Sequence, residues 1–307
     1  MKLEGVHHIT AITAEAQKNV DFYAGLLGLR LVKKTVNQDD PSVYHLFYAD
    51  EHGDAGSDIT FFEYPGAARG RAGDGMVHTI GWRVASTDAL DFWAERLGEA
   101  GHSSDRADDT LTFEDFEGLR HQLRVSRVDD QALIADHPEI PKEVALQGFD
   151  GARAYASDPA RSAALLEALE FERRDDAWEA RGASRGGIWA YDEPPAERGL
   201  QGAGTVHHIA WASQMDEHEG WRERALSAGA RATPVIDRFY FRSIYFREPS
   251  GVLFEIATLG PGFTADEPLE TLGEKLSLPP DYEPLRDQVE ATVKPLANPR
   301  TAAAERS

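Results

Sequence analysis

The chain has 307 residues, 41% of them apolar, with 53 acidic against 32 basic side chains and a formal charge of −21. Such a charge repels nucleic-acid phosphates, and the absence of cysteine removes disulfides, thiolate metal sites and cysteine nucleophiles, leaving His and carboxylates as the ligands for any metal. No apolar run approaches the roughly 20 residues of a membrane span, and MKLEGVHHIT lacks the basic and apolar regions of a secretion signal, so a cytoplasmic protein is expected.

The length exceeds what one small core organises, and four stretches of the chain open alike. GVHHITAIT from Gly5 reads as a β-rich strand, followed at helical spacing by Val20, Tyr23, Leu26 and Leu27. The Pro/Gly-rich stretch 64–75 separates it from MVHTIGWRV at Met76, followed by Leu90, Trp93 and Leu97. After a second break at 136–147, a weaker copy begins at Gly148, with Asp158-Pro159 as a helix start and Leu165, Leu166 and Leu169 as the buried stripe. TVHHIAWAS from Thr205 opens the fourth, with Trp221 and Leu226 behind it. The unit ends match as well: FEDFEGLRHQLRV from Phe113 aligns without gaps on FREPSGVLFEIAT from Phe246, setting Gly118 on Gly251 and Gln122 on Glu255. The expected organisation is α+β, with consecutive strand-helix-strands units paired into two domains, residues 1–135 and 146–260. In the tail, 261–307, a short helix is expected near Glu283 to Val293, and the last dozen residues are expected to lack stable structure.

Two VHHI strands about 200 residues apart, with a carboxylate on a late strand, are what a two-His-one-carboxylate metal site requires. Side chains alternate along a strand, so one His of each pair faces inward. Unit two keeps the first His (His78) but has Thr79 in place of the second, and Gln122 where unit four has Glu255. The joint loss of those two positions marks them as one site and selects His8, His208 and Glu255. Satisfied core histidines are the plainer alternative for His8 and His208. Glu63 in ITFFEYP resembles the Phe254-Glu255 pair and stands as a candidate fourth carboxylate.

These units resemble the vicinal oxygen chelate superfamily (glyoxalase, bleomycin-resistance and extradiol dioxygenase proteins), built from βαβββ modules that pair into domains with cupped mixed β-sheets. More narrowly, GVHHIT, GTVHHIA, DRFYFRSIYFREPSGVLFEIAT and GFTADEPLETLGEKLSLPP resemble the hydroquinone-cleaving ring dioxygenases across residues 1 to 295. The resemblance implies Fe(II), with Mn(II) as the alternative, on His8, His208 and Glu255, and surrounding roles for His7, Thr10, His207, Arg238 and Tyr245. Regular alternation would turn His7 and His207 away from the metal, so those roles require a bulge, a twist or a contact from a neighbouring sheet. In such an enzyme Tyr245 and Arg238 would face a developing oxyanion and His207 would carry a proton; a β-rich aromatic and a surface ion pair with Asp237 are their plainer readings.

The implied partners are a small aromatic substrate and O2, with no nucleic acid and no membrane, in a monomer or a homo-oligomer. Two other classes remain open: a glyoxalase-like isomerase using His8, Glu63, His208 and Glu255 on Zn or Ni, and a metal-free ligand-binding protein. Only 7 of the 32 basic residues are Lys, which with the acidic surface suits a salt-rich cytoplasm, where ions screen self-repulsion; an ordinary acidic surface is the alternative.

Overall fold

The computed structural model describes residues 1–299. Each module is a strand, a helix and three further strands. The first comprises β1 (Val6–Thr13), α1 (Ala16–Val20, prolonged by a wider π turn to Leu26), β2 (Arg30–Asn37), β3 (Asp40–Ala49) and β4 (Asp58–Glu63). The second comprises β5 (Val77–Val84), α2 (Thr87–Glu99), β6 (Ser104–Ala107), β7 (Thr110–Glu114) and β8 (Arg120–Val125). The third comprises β9 (Phe149–Tyr155), α3 (Ala163–Ala168), β10 (Glu172–Arg174), β11 (Ala177–Arg181) and β12 (Gly186–Asp192). The fourth comprises β13 (Thr205–Ser213), α4 (His218–Ser227), β14 (Ile236–Asp237), β15 (Phe241–Arg247) and β16 (Leu253–Pro261). Every opening strand is preceded by a glycine in the left-handed region, Gly5, Gly75, Gly148 and Gly204, with φ between 75° and 84°. One sharp entry turn, which an L side chain would strain, is thus used four times.

The helices form where the apolar spacing places them. Ser86 caps α2 by accepting from the Ala89 N–H, and Leu90, Trp93 and Leu97 are buried beneath it. Leu165, Leu166 and Leu169 are buried as expected, but on α4 Leu226 is exposed and Ala225 takes the inward place beside Trp221. The helix turns by about 100° per residue, so one position decides which side chain is covered.

The two eight-stranded mixed sheets run β14-β15-β16-β13-β1-β4-β3-β2 and β10-β11-β12-β9-β5-β8-β7-β6. This corrects the expected grouping of consecutive modules at 1–135 and 146–260: module one shares a sheet with module four, and module two with module three. The cause is the pairing of opening strands, β1 antiparallel to β13 and β5 antiparallel to β9. Each sheet continues outward from that seam, so each takes half its strands from either side of the 136–147 break.

The tail closes one end of the first sheet's concave face. Phe263 and Leu272 pack against Val32, Phe47, Tyr240 and Phe241. Lys33, fully buried on β2, donates to Asp266 at 2.7 Å, to the Phe263 carbonyl at 3.1 Å and to Glu267. Removing either carboxylate would leave a buried charge short of a partner, a change that costs several kcal/mol. Further on, Ser277 donates its N–H to the Lys34 carbonyl along the β2 edge. The expected tail helix is present as α5 (Arg286–Thr292), led by a tight turn at Glu283–Leu285. Of the last dozen residues, Ala297 is held by Gln17 through two hydrogen bonds, while 300–307 lie outside the described residues. No helix among the described residues is long and apolar enough to cross a membrane.

Two outcomes follow. Because each sheet draws strands from both halves, fragments 1–142 and 143–307 produced together should co-purify through a tag on one of them; independent, separable fragments would contradict the topology. Asp58, on β4, is buried with neither carboxylate oxygen bonded among the described residues, and burial with Asp50 nearby pushes its carboxyl well above the usual range. The folded chain therefore keeps this proton while the unfolded chain loses it near pH 4, so the penalty grows as pH rises above that point. Asp58→Asn should raise Tm by about 2 °C or more beyond its effect at pH 5 when measured at pH 8, and equal shifts at both pH values would refute the account.

Candidate metal centre

The seam between β1 and β13 makes the site. Thr10 lies opposite His208 and His8 opposite Ala210, with the pairing shifting between Val6 and His8 and again between Val206 and His208. The residues left out of register are His7 and His207, one bulge in each strand. A bulge re-aims the extra side chain, and here it brings each extra imidazole onto its neighbour instead of away from it. His7 Nδ1 lies 2.9 Å from His8 Nδ1, and His207 Nδ1 lies 2.8 Å from His208 Nδ1. The conflict between strict alternation and the roles expected of His7 and His207 is resolved by these two bulges.

Proton positions follow from the one partner that can only accept. His7 Nε2 is 3.1 Å from the Thr258 carbonyl and must donate to it. A neutral His7 then accepts at Nδ1, so His8 donates from Nδ1 and keeps its Nε2 lone pair free. Burial, with His8 beside it, holds His7 down to about 3, so it is neutral at physiological pH. His207 is held down to about 4 by burial and by His208; a His208 that offers Nε2 to a metal donates from Nδ1, which makes His207 Nδ1 the acceptor and puts the His207 proton on Nε2.

The freed nitrogens meet Glu255. His8 Nε2 and His208 Nε2 are 3.2 Å apart, and they lie 3.2 Å and 2.9 Å from Glu255 Oε2. All three side chains are buried, yet Oε2 makes no hydrogen bond of acceptable geometry. Burial alone would raise the Glu255 carboxyl, but His8 and His208 hold it well below its usual value, so it is a carboxylate. Ligand atoms about 3 Å apart form one face of an octahedron with bonds of about 2.1 Å, so the donor set fits a divalent metal. The other oxygen, Oε1, accepts from the Ser243 hydroxyl on β15.

The same register explains the remaining modules. Glu255 pairs with Ala210, two residues after His208, just as Gln122 pairs with Gly81, two residues after Thr79. In module three, Gly151 holds the ligand position on β9, opposite Gly81. In module one the residue opposite Thr10, two after His8, is Thr60 rather than Glu63. Glu63 lies three residues further on, where its carboxylate accepts the Ala16 N–H at 3.1 Å at the start of α1. It is not a member of the cluster that could hold a metal.

A cavity of about 400 Å³ opens over His8 and His208. Phe47, Phe62, Phe241 and Leu253 supply apolar wall. Tyr245 stands opposite Glu255 on β15, its ring edge-on to His208 at 5.8 Å. Burial and Glu255 push its phenol up. Arg238 reaches the Tyr245 hydroxyl at 3.4 Å and pairs with Asp39 of the β2-β3 turn at 3.0 Å, not with its neighbour Asp237. Gln38 donates to the Arg238 carbonyl at 2.9 Å, so modules one and four are joined across the mouth. Thr10 is bonded to Thr60 at 2.8 Å, and Thr60 to His45 Nε2 at 2.8 Å. His45, Thr60, Ser243 and Asp39 escaped the sequence reading. None stands in a repeated motif, and only the register of β3 against β4 would have pointed to His45.

A sequence profile of the Glyoxalase/Bleomycin resistance protein/Dioxygenase superfamily matches residues 5–119, and with full-length relatives well above 30% identity the chain belongs to that superfamily. Within it, the chain is 43% identical to a Bacillus subtilis protein named "Putative ring-cleaving dioxygenase MhqO", over 96% of this chain and 97% of that one. It is 32% identical to the chlorohydroquinone/hydroquinone 1,2-dioxygenase of Sphingobium indicum, over 95% and 96%. Among solved structures, a Bacillus subtilis protein described as a "putative dioxygenase" superposes with a TM-score of 0.90 at 41% identity, covering 97% of this chain and 98% of that one. Glyoxalase I of Zea mays shares the fold at a TM-score of 0.60 and 13% identity, over 85% and 93%. The chain is thus an enzyme matched from end to end by ring-cleaving dioxygenases.

Replacing His8, His208 or Glu255 by Ala should abolish stoichiometric metal binding, read by elemental analysis after dialysis, while Glu63→Ala keeps it. Loss of the metal from Glu63→Ala as complete as from Glu255→Ala would restore a four-ligand site.

Proposed function

We propose that this enzyme opens the ring of a hydroquinone-type diol with O2, using Fe(II), or Mn(II) as the alternative, on His8, His208 and Glu255. The observation that carries the reading is Thr60 at the place equivalent to Glu255. A four-ligand isomerase needs a carboxylate there, whereas three ligands on one face leave room for a ring oxygen and O2. The Sphingobium indicum relative's name supports the same substrate class. The bound metal would supply Lewis acidity and hold the two reactants together.

The protein supplies orientation and charge. A catechol chelates through neighbouring oxygens and is fixed by its own geometry, but a hydroquinone attaches through one oxygen and must be steered by the walls. Phe47, Phe62, Phe241 and Leu253 confine the ring and exclude water. Tyr245 stays protonated at neutral pH and donates from its hydroxyl, and Arg238, anchored by Asp39, holds a cation beside it. Together they face negative charge as it develops on oxygen. His207 points its Nε2–H outward as a further donor and carries the proton the reaction moves. His7 fixes the tautomer of His8, and Thr10 fixes Thr60.

Steady-state O2 uptake with the metal-loaded protein tests this. Tyr245→Phe should lower hydroquinone turnover by roughly 10²-fold with little change in metal content. Faster wild-type cleavage of catechol than of any hydroquinone, or an unchanged rate in Tyr245→Phe, would sink the para-diol assignment.

A further inference from the structure

One end of the substrate is still unattended. A hydroquinone held through one oxygen carries its second hydroxyl on the far side of the ring, toward the mouth. We infer that His45 receives this far hydroxyl, an assignment that rests on the ring-cleavage reading.

The strand registers place it. Thr10 lies opposite His208, Thr60 opposite Thr10, and Phe47 opposite Thr60. His45, opposite Phe62, is one rung nearer the mouth on the same face. β3 and β15 flank the central strands of the sheet, so His45 and Tyr245 rise on opposite walls of the cavity they both line. A ring leaving the metal between them meets Tyr245 near its bound oxygen and His45 near its free one.

The imidazole is held for that purpose. Its ring lies between Phe47 and Phe62, with centroids 4.0 Å and 4.4 Å away. Nε2 is bonded to Thr60, which is bonded to Thr10, so rotation would break a buried chain. Nδ1 has no hydrogen-bond partner among the described residues. Of the other polar groups near the mouth, Asn37 is engaged with the Tyr64 hydroxyl and Gln38 and Asp39 with Arg238, while Thr35, opposite His45 on β2, has its hydroxyl unbonded beside the imidazole. Burial, with His8, His208 and Arg238 near, keeps the imidazole neutral. A neutral Nδ1 either donates to a phenolic oxygen or accepts from its O–H, and it has no such match with a methyl group. His45 is thereby a specificity residue for the 1,4-diol.

Anaerobic calorimetric titration of the iron-loaded protein with hydroquinone and with 4-methylphenol tests the assignment without turnover. The wild type should bind hydroquinone about tenfold more tightly, the worth of one buried hydrogen bond. His45→Leu should bring the two affinities together at unchanged iron content, and His45→Gln should recover part of the difference. An unchanged ratio in His45→Leu overturns the assignment. So does a wild type that binds the two phenols equally, a result that no folding defect can produce. O2 uptake by the wild type with hydroquinone is recorded alongside. If uptake is present and the ratio fails, only His45 loses its role; if uptake is absent, the ring-cleavage reading falls and this assignment falls with it.

Discussion

The antiparallel pairing of β1 with β13 is the constraint on which the rest of this enzyme depends. It joins the first module to the last, sets His8 beside His208, and through two bulges turns consecutive histidines into ligand-and-support pairs. A slip of one residue in either strand would exchange that strand's faces, moving His8 or His208 out of the cup and Ile9 or Ile209 into it. The apolar contacts of those isoleucines in the core therefore protect the metal site's register, although neither touches the site.

Around that seam, division of labour follows module identity. Module four contributes Glu255, Ser243, Tyr245 and Arg238, the charged and proton-bearing wall. Module one contributes the neutral wall of Thr10, Thr60, His45 and Phe47 at related register positions. Ser243 bonds Glu255 as His45 bonds Thr60, so a single template has been filled once with a carboxylate and once with a hydroxyl. That asymmetry gives the cavity a polarity: one wall carries the carboxylate and the guanidinium, and the other is lined by uncharged groups.

Much of this was legible in the chain because repetition exposes what single segments hide. The four units, their helices and the three ligands follow from comparing VHHI with VHTI and Glu255 with Gln122. The partnership of modules did not, since which opening strands form a seam is set by long-range pairing that local spacing does not encode. Nor did the pairing of Arg238 with Asp39, which lie 199 positions apart, one on each side of the mouth. Glu63 looked like Glu255 by its Phe-Glu motif, but the parallel register of β1 and β4 sets it three residues past the place that matters.

The three ligands come from opposite ends of the chain, and this bears on how the protein is made. A ribosome that stops before β16 yields a polypeptide with both histidines but no Glu255 and an incomplete first sheet. Such a product lacks one of the three ligands, and the edge of β13 that β16 would cover stays open. The metal centre is therefore complete only once β16 has joined β13, so the site and the first sheet are finished by the same strand.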